Sequence, residues 1–165
     1  MRLRHESAFK APLTISLMIA AVLLSSCGGK SVSDTQANLP VVTGAAGSAP
    51  TISAPSGTPP TTLVTKDIIE GKGSAAVATS VMTVHYTLMA WSTGKVVESS
   101  WTSGSPATFP LANVIKGWQQ GIPGMKIGGR RLLVIPPDLG YGAAGGGPIG
   151  PNETLIFVVD VVGIV

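Results

Sequence analysis

Cysteine is almost absent from this chain: Cys27 is the only one in 165 residues. A lone thiol closes no internal disulfide and has no companion ligands for a structural zinc site. Histidine is nearly as scarce, with only His5 and His85. His5 lies in a leader-like stretch, and His85 falls between threonines on a predicted strand as an outward-facing residue, so no metal cluster is expected. Charged residues make up 12% of the chain and aromatics 5%, which predicts a neutral, apolar binding surface. The pI near 9.3 misleads, because Arg2, Arg4 and Lys10 crowd the first ten positions. Removing those three and Glu6 from the 11 basic and 8 acidic residues leaves eight and seven. A nucleic-acid partner therefore loses its main warrant, a basic patch for phosphates. The serines near Glu98 have no base in sequence context, so a hydrolytic triad is unsupported. The glycines between Gly140 and Gly150 lack the lysine and following helix of a phosphate loop. They read instead as a flexible lid with positive-φ positions. No cofactor is implied.

What is present divides the chain into three. Arg2, Arg4 and Lys10 precede an apolar run, Leu13 to Leu24, shorter than the ~20 residues of a bilayer span. That is the pattern of an export signal over residues 1–26. Leu24-Ser25-Ser26-Cys27 resembles a bacterial lipobox, which implies cleavage before Cys27 and diacylation of its sulfur. Two acyl chains hold a protein to a membrane where one does not. The expected location is the cell envelope, lipid-anchored. With Gly28 rather than an aspartate after the cysteine, the outer membrane facing the periplasm is favoured in a source with two membranes. Residues 27–62 are rich in Ser, Thr, Pro, Gly and Ala, with no aromatic and only Lys30 and Asp34 as charges. Such a composition predicts a flexible tether.

A domain is predicted over residues 63–165, of a size that supports one modest core. Val64–Glu70, Lys95–Glu98, Thr108–Leu111 and Thr154–Val165 read as strands. Val81–Ala90 alternates clearly, with Met82, Val84 and Tyr86 on one face. Ser92-Thr93-Gly94 is a hairpin turn, and Trp101–Pro106 a loop. Around them lies the organising stretch, Asn113 to Gly145. Asn113 is suited to cap a short helix whose apolar side is Val114, Trp118 and Ile122. Gly121 is placed to end that helix in left-handed conformation, ahead of Pro123. Gly128-Gly129 turns the chain into a strand, Arg130–Ile135, that Pro136-Pro137 stops. Many strands and one short helix make an α+β domain.

The run VIKGWQQGIPGMKIGGRRLLVIPPDLGYGAAG, with VHYT at Val84–Thr87, GKVVESS at Gly94–Ser100 and PNETLIFVVDVV at Pro151–Val162, closely resembles FKBP-type peptidyl-prolyl cis-trans isomerases. The resemblance implies a twisted antiparallel sheet wrapped around one short helix, with an apolar cavity between them. It implies an isomerase of X-Pro bonds acting on proline-containing polypeptides, open to the family's macrolide inhibitors. The alternative is a low-turnover chaperone or binding module with the same pocket. The catalytic positions carry over to Tyr86, Glu98, Ile115, Trp118, Tyr141 and Phe157, and the substrate-binding ones to Val97, Phe109, Val114 and Ile149. Trp118 becomes the pocket floor, and the Ile115 N–H and Tyr141 hydroxyl the donors to substrate carbonyls. Three positions depart from the family pattern. Val97 replaces a phenylalanine, Glu98 an aspartate, and Ser103 the arginine that pairs with it, which predicts a loosely held carboxylate. Trp101 is expected to cover some of the vacated area. A monomer is expected, because the long N-terminal helices through which some exported relatives dimerise are not seen.

Overall fold

The computed structural model describes residues 38–165; the signal-like stretch and Cys27 lie outside the described residues. Eight strands and two short helices follow in order. Strands β1 (Val42–Thr43) and β2 (Thr51–Ile52) form a small hairpin. The main sheet is built from β3 (Val64–Ile69), β4 (Val81–Ala90), β5 (Lys95–Ser99), β6 (Ala107–Pro110), β7 (Arg130–Ile135) and β8 (Leu155–Ile164). Helix α1 (Ser100–Ser103) is a single turn, and α2 (Lys116–Gly121) is the helix on which the sheet closes. The sheet order is β3-β7-β8-β4-β5, with β6 also on β4, and every pairing is antiparallel. The outer edge of β4 is shared: its first four residues pair with β6 and its last four with β5.

The strict alternation of β4, β7 and β8 sorts their side chains into two layers. Met82, Val84, Leu88, Leu133, Ile135, Leu155, Phe157, Val159 and Val161 face α2 and pack on Trp118 and Ile122. Met89, Leu132, Val134, Ile156 and Val158 face the other way with Trp91. Both layers are buried, which is why β7 and β8 read as nearly continuous apolar runs, while β4 keeps Thr83, His85 and Thr87 on its second face.

The second layer is covered by the segment that composition assigns to a tether. Leu39, Val42 and Ile52 pack against it, and from residue 38 onward the segment is part of the folded unit. Its sparse apolar residues are enough because they dock on an existing apolar face instead of building a core of their own. Arg130 is fully buried and fixes the arrangement. Its Nε donates to Asp160 Oδ1 at 2.8 Å, Nη1 to the Gly44 carbonyl at 3.1 Å and Nη2 to the Ser48 carbonyl at 2.5 Å. Burial raises the Asp160 carboxyl above the ordinary carboxylate range, although Arg130 and His85 pull it down. The direction fits a carboxylate whose Oδ2 has no partner.

Helix α2 lies hard against β7. A Cβ at Gly117 would overlap the Ile135 side chain, and one at Gly121 the Leu133 side chain. Gly121 is therefore required by close approach, not by the left-handed conformation expected of it; the positive φ falls at Gly124, at 88°. Arg131 ties the helix end to the sheet. Its Nη1 donates to the Gly121 carbonyl at 2.7 Å, while Nε and Nη2 grip Asp67 on β3 at 2.6 and 2.9 Å. One guanidinium thus satisfies an orphan helix carbonyl and joins three elements.

Candidate active site

Between the first layer and α2 opens a cavity of about 370 Å³. Tyr86, Glu98, Phe109, Val114, Ile115, Trp118, Tyr141 and Phe157 line it, together with Leu88 and Asn113. Trp118 forms the floor and is only 4% exposed. Three aromatic rings meet it edge-on: Phe157 at 5.2 Å, Phe109 at 5.3 Å and Tyr86 at 5.8 Å between centroids. This is the edge-to-face arrangement that ring quadrupoles favour, and it holds the indole rigidly.

Two expected wall residues stand slightly apart. Val97 packs against the first layer behind the rim, and Ile149 is buried in the core beneath the glycine loop; neither lines the cavity. Leu88 and Asn113 are lining residues that the sequence reading passed over. Leu88 had a signal, since it continues the Met82–Val84–Tyr86 face by the period of two. Asn113 was assigned to capping, but α2 begins after Ile115 and has no side-chain cap. Asn113 instead closes a 3-10 turn, Leu111–Asn113, that brings it to the rim.

Glu98 reaches the rim because β5 is bulged. Leu88 pairs with Glu98, but Met89 pairs with Val96, so Val97 is the extra residue. A bulge breaks the alternation and re-aims a side chain, and here it lets neighbours Val97 and Glu98 both turn to the pocket side. The Tyr86 hydroxyl donates to Glu98 Oε1. Burial above all, then the Glu98 hydrogen bond and charge, and finally Tyr141, raise the Tyr86 hydroxyl above the ordinary phenol range. It therefore stays protonated and donating at physiological pH. Tyr86 is the partner that Glu98 keeps where the arginine is missing.

The expected cover from Trp101 is also corrected. Its ring stacks on His85 at 3.9 Å with 15° between planes. His85 is therefore covered by an indole, and its Nδ1 lies 3.0 Å from Ser100 Oγ. Trp101 sits there because Ser100–Ser103 forms the turn of α1, and Ser103 Oγ donates to the Ser100 carbonyl at 2.9 Å.

Tyr141, 43% exposed, overhangs the cavity from the glycine loop. The loop is pinned by its own backbone: Gly146 and Ile149 exchange two hydrogen bonds of 2.9 Å, and the Asn152 N–H donates to the Gly142 carbonyl at 3.0 Å. Gly146 lies under the tyrosine ring, where a Cβ would stand 3.0 Å from Cδ1.

Among the described residues there is no group of three His, Cys, Asp or Glu side chains placed to hold a metal, and no helix long and apolar enough to cross a membrane. What the site offers is an apolar slot with a flat floor, a polar rim at Glu98, Tyr86, Asn113 and Tyr141, and no nucleophile paired with a base.

The comparisons agree on one family. The family model for FKBP-type peptidyl-prolyl cis-trans isomerase matches residues 72–162. The chain is 50% identical over 119 residues to the FK506-binding protein of Streptomyces anulatus, covering 70% of this chain and 96% of that one. It is 42% identical over 106 residues to the FKBP-type peptidyl-prolyl cis-trans isomerase FkpA of Escherichia coli K12, covering 63% of this chain and 38% of that one. The crystal structure of FkpA superimposes with a TM-score of 0.59 at 40% identity, over 62% of this chain and 47% of that chain. That of AtFKBP13 gives 0.57 at 38% identity, over 62% and 93%.

Proposed function

The chain belongs to the FKBP-type peptidyl-prolyl cis-trans isomerase family, and from that premise we propose that the Trp118 cavity is where it isomerises X-Pro bonds of exported proteins. The reaction is rotation about an amide C–N bond, and no covalent bond is made or broken. Amide resonance sets the general peptide barrier at about 18–20 kcal/mol, and uncatalysed X-Pro rotation takes tens to hundreds of seconds. Resonance is lost at the twisted geometry, which leaves a less dipolar amide with a pyramidal nitrogen. A pocket that binds this state better than either planar isomer accelerates the rotation. An acceleration of about 10⁵-fold asks for roughly 7 kcal/mol of such differential binding.

The observation that carries the assignment is the Trp118 floor, buried beneath an otherwise open cavity and braced by three aromatic edges. A proline ring laid on it is held while the acyl side swings in the apolar slot. The Ile115 N–H and the Tyr141 hydroxyl are the donors for the substrate carbonyls. Trp118→Leu should lower kcat/KM on a short X-Pro peptide by at least about tenfold, the loss of roughly 1.4 kcal/mol of transition-state binding. An unchanged rate would remove the pocket from the mechanism. The relatives' name, FK506-binding protein, supports macrolide binding in the same slot, which a change in Trp118 fluorescence on titration would report.

The export half of the proposal rests on the basic start, the apolar run and Leu24-Ser25-Ser26-Cys27. A cysteine carrying two acyl chains would hold the isomerase at an envelope membrane, where newly exported proteins fold. Cys27→Ser should abolish lipid labelling and processing. A wild-type protein that keeps residues upstream of Cys27 and incorporates no lipid would refute the anchor and leave the isomerase assignment untouched.

A further inference from the structure

We infer that Gln119 is a positioning residue that aims the Ile115 N–H at the substrate. Gln119 lies on the exposed side of α2, outside the cavity lining. Its Nε2 donates to the Val114 carbonyl at 2.7 Å and to the Ala112 carbonyl at 3.1 Å. An amide nitrogen carries two hydrogens, so both are used, and both clamp the short link between the 3-10 turn and α2.

The bond to Val114 acts on the pocket through the rigidity of the peptide group. The Val114 carbonyl and the Ile115 N–H belong to one planar unit and, in the trans form, point in opposite directions. Holding the carbonyl against Gln119 therefore directs the N–H the other way. Val114 and Ile115 are extended, with ψ of 177° and 150°, so neither helical turn would fix that plane by itself. Among the described residues no turn, cap or side chain takes the Ile115 N–H. A hydrogen bond accepted at a carbonyl also polarises its peptide group and strengthens the N–H as a donor. The second bond, to Ala112, fixes the plane on the other side of Asn113 and so holds the rim residue between them.

The inference rests on the Trp118 cavity being the site of reaction, which Trp118→Leu tests separately. Gln119→Glu keeps the size of the side chain but replaces two donors with an anion that repels both carbonyls. At neutral pH we expect kcat/KM to fall about tenfold, the worth of one neutral hydrogen bond, mainly in kcat, with faster hydrogen exchange at the Ile115 amide. As the pH drops toward 4 the new carboxyl protonates and can donate one bond, so the ratio of variant to wild type at the same pH should recover. Gln119→Ala should show the loss without the recovery. Gln120→Glu, which places the same charge on the next exposed residue of α2, should match wild type throughout. The inference is overturned if Gln119→Ala and Gln119→Glu both keep wild-type kcat/KM, if the loss in Gln119→Glu is the same at every pH, or if Gln120→Glu reproduces it.

Discussion

Tyr86 is where packing, charge and chemistry coincide. It braces Trp118 with its ring edge and holds Glu98 with its hydroxyl. A phenol whose pKa is raised on folding adds stability that is complete below the ordinary value near 10 and is lost as the pH climbs above it. Tyr86→Phe should therefore flatten the alkaline fall in stability, measured as the urea midpoint between pH 9 and 11. It should also lower kcat/KM by releasing Glu98, with little change in the fluorescence of Trp118. A variant with the wild-type alkaline profile would show that the raised hydroxyl is not coupled to folding. Single residues were also where sequence reading failed most. Asn113, Gly121 and Trp101 each had a sound local rationale, as cap, left-handed terminator and loop cover. Each was displaced by a partner elsewhere in the sequence or, for Asn113, by a two-residue shift in where the helix begins.

At the scale of elements, periodicity read well wherever the chain alternates. β4 and β7 appear with the expected bounds, and β8 differs by one residue at each end. Helix α1 was missed because four residues leave no period to detect. The bulge at Val97 was invisible because it is a property of the pairing between β4 and β5, not of either strand. The seating of α2 on β7 is testable through its glycines. Gly117→Ala gains helix propensity of up to about 1 kcal/mol but places a methyl group in the Ile135 side chain, an overpacking cost of about 1–3 kcal/mol. The overlap should win, and the urea midpoint should fall. Gly117→Ala with Ile135→Ala, which removes all three overlapping atoms, should cost less than the sum of the two single variants. A more stable single variant would show that α2 can lift from the sheet, at the expense of the cavity it closes.

For the whole molecule, the boundary drawn from composition at residue 63 divides a unit that folds together. A chain beginning at Leu63 exposes the apolar layer that Leu39, Val42 and Ile52 cover and strips two acceptors from the buried Arg130. Arg130→Leu leaves the hairpin residues in place but orphans Asp160, for which about 3–5 kcal/mol is typical. Both chains should unfold at clearly lower urea than one beginning at residue 38; if the shorter chain matches it, the hairpin is only an ornament on the sheet. None of this was readable in the sequence, because Arg130 recognises backbone carbonyls rather than side chains, and those lie more than 80 residues away. The position of β8 has a consequence in time. Among the described residues it follows every other strand in the chain, yet it lies inside the sheet between β7 and β4 and carries Ile156 and Val158, two of the six buried residues of the layer on which the hairpin docks. Pairings so distant along the chain close slowly. A chain emerging N-terminus first can pair one edge of β4 with β5 and β6, but must leave its other edge, and one edge of β7, open until β8 arrives. Until β8 is in place, β3 and β7 have no link to β4, and a stop codon that removes it would leave two separate strand groups with no shared sheet to close on α2.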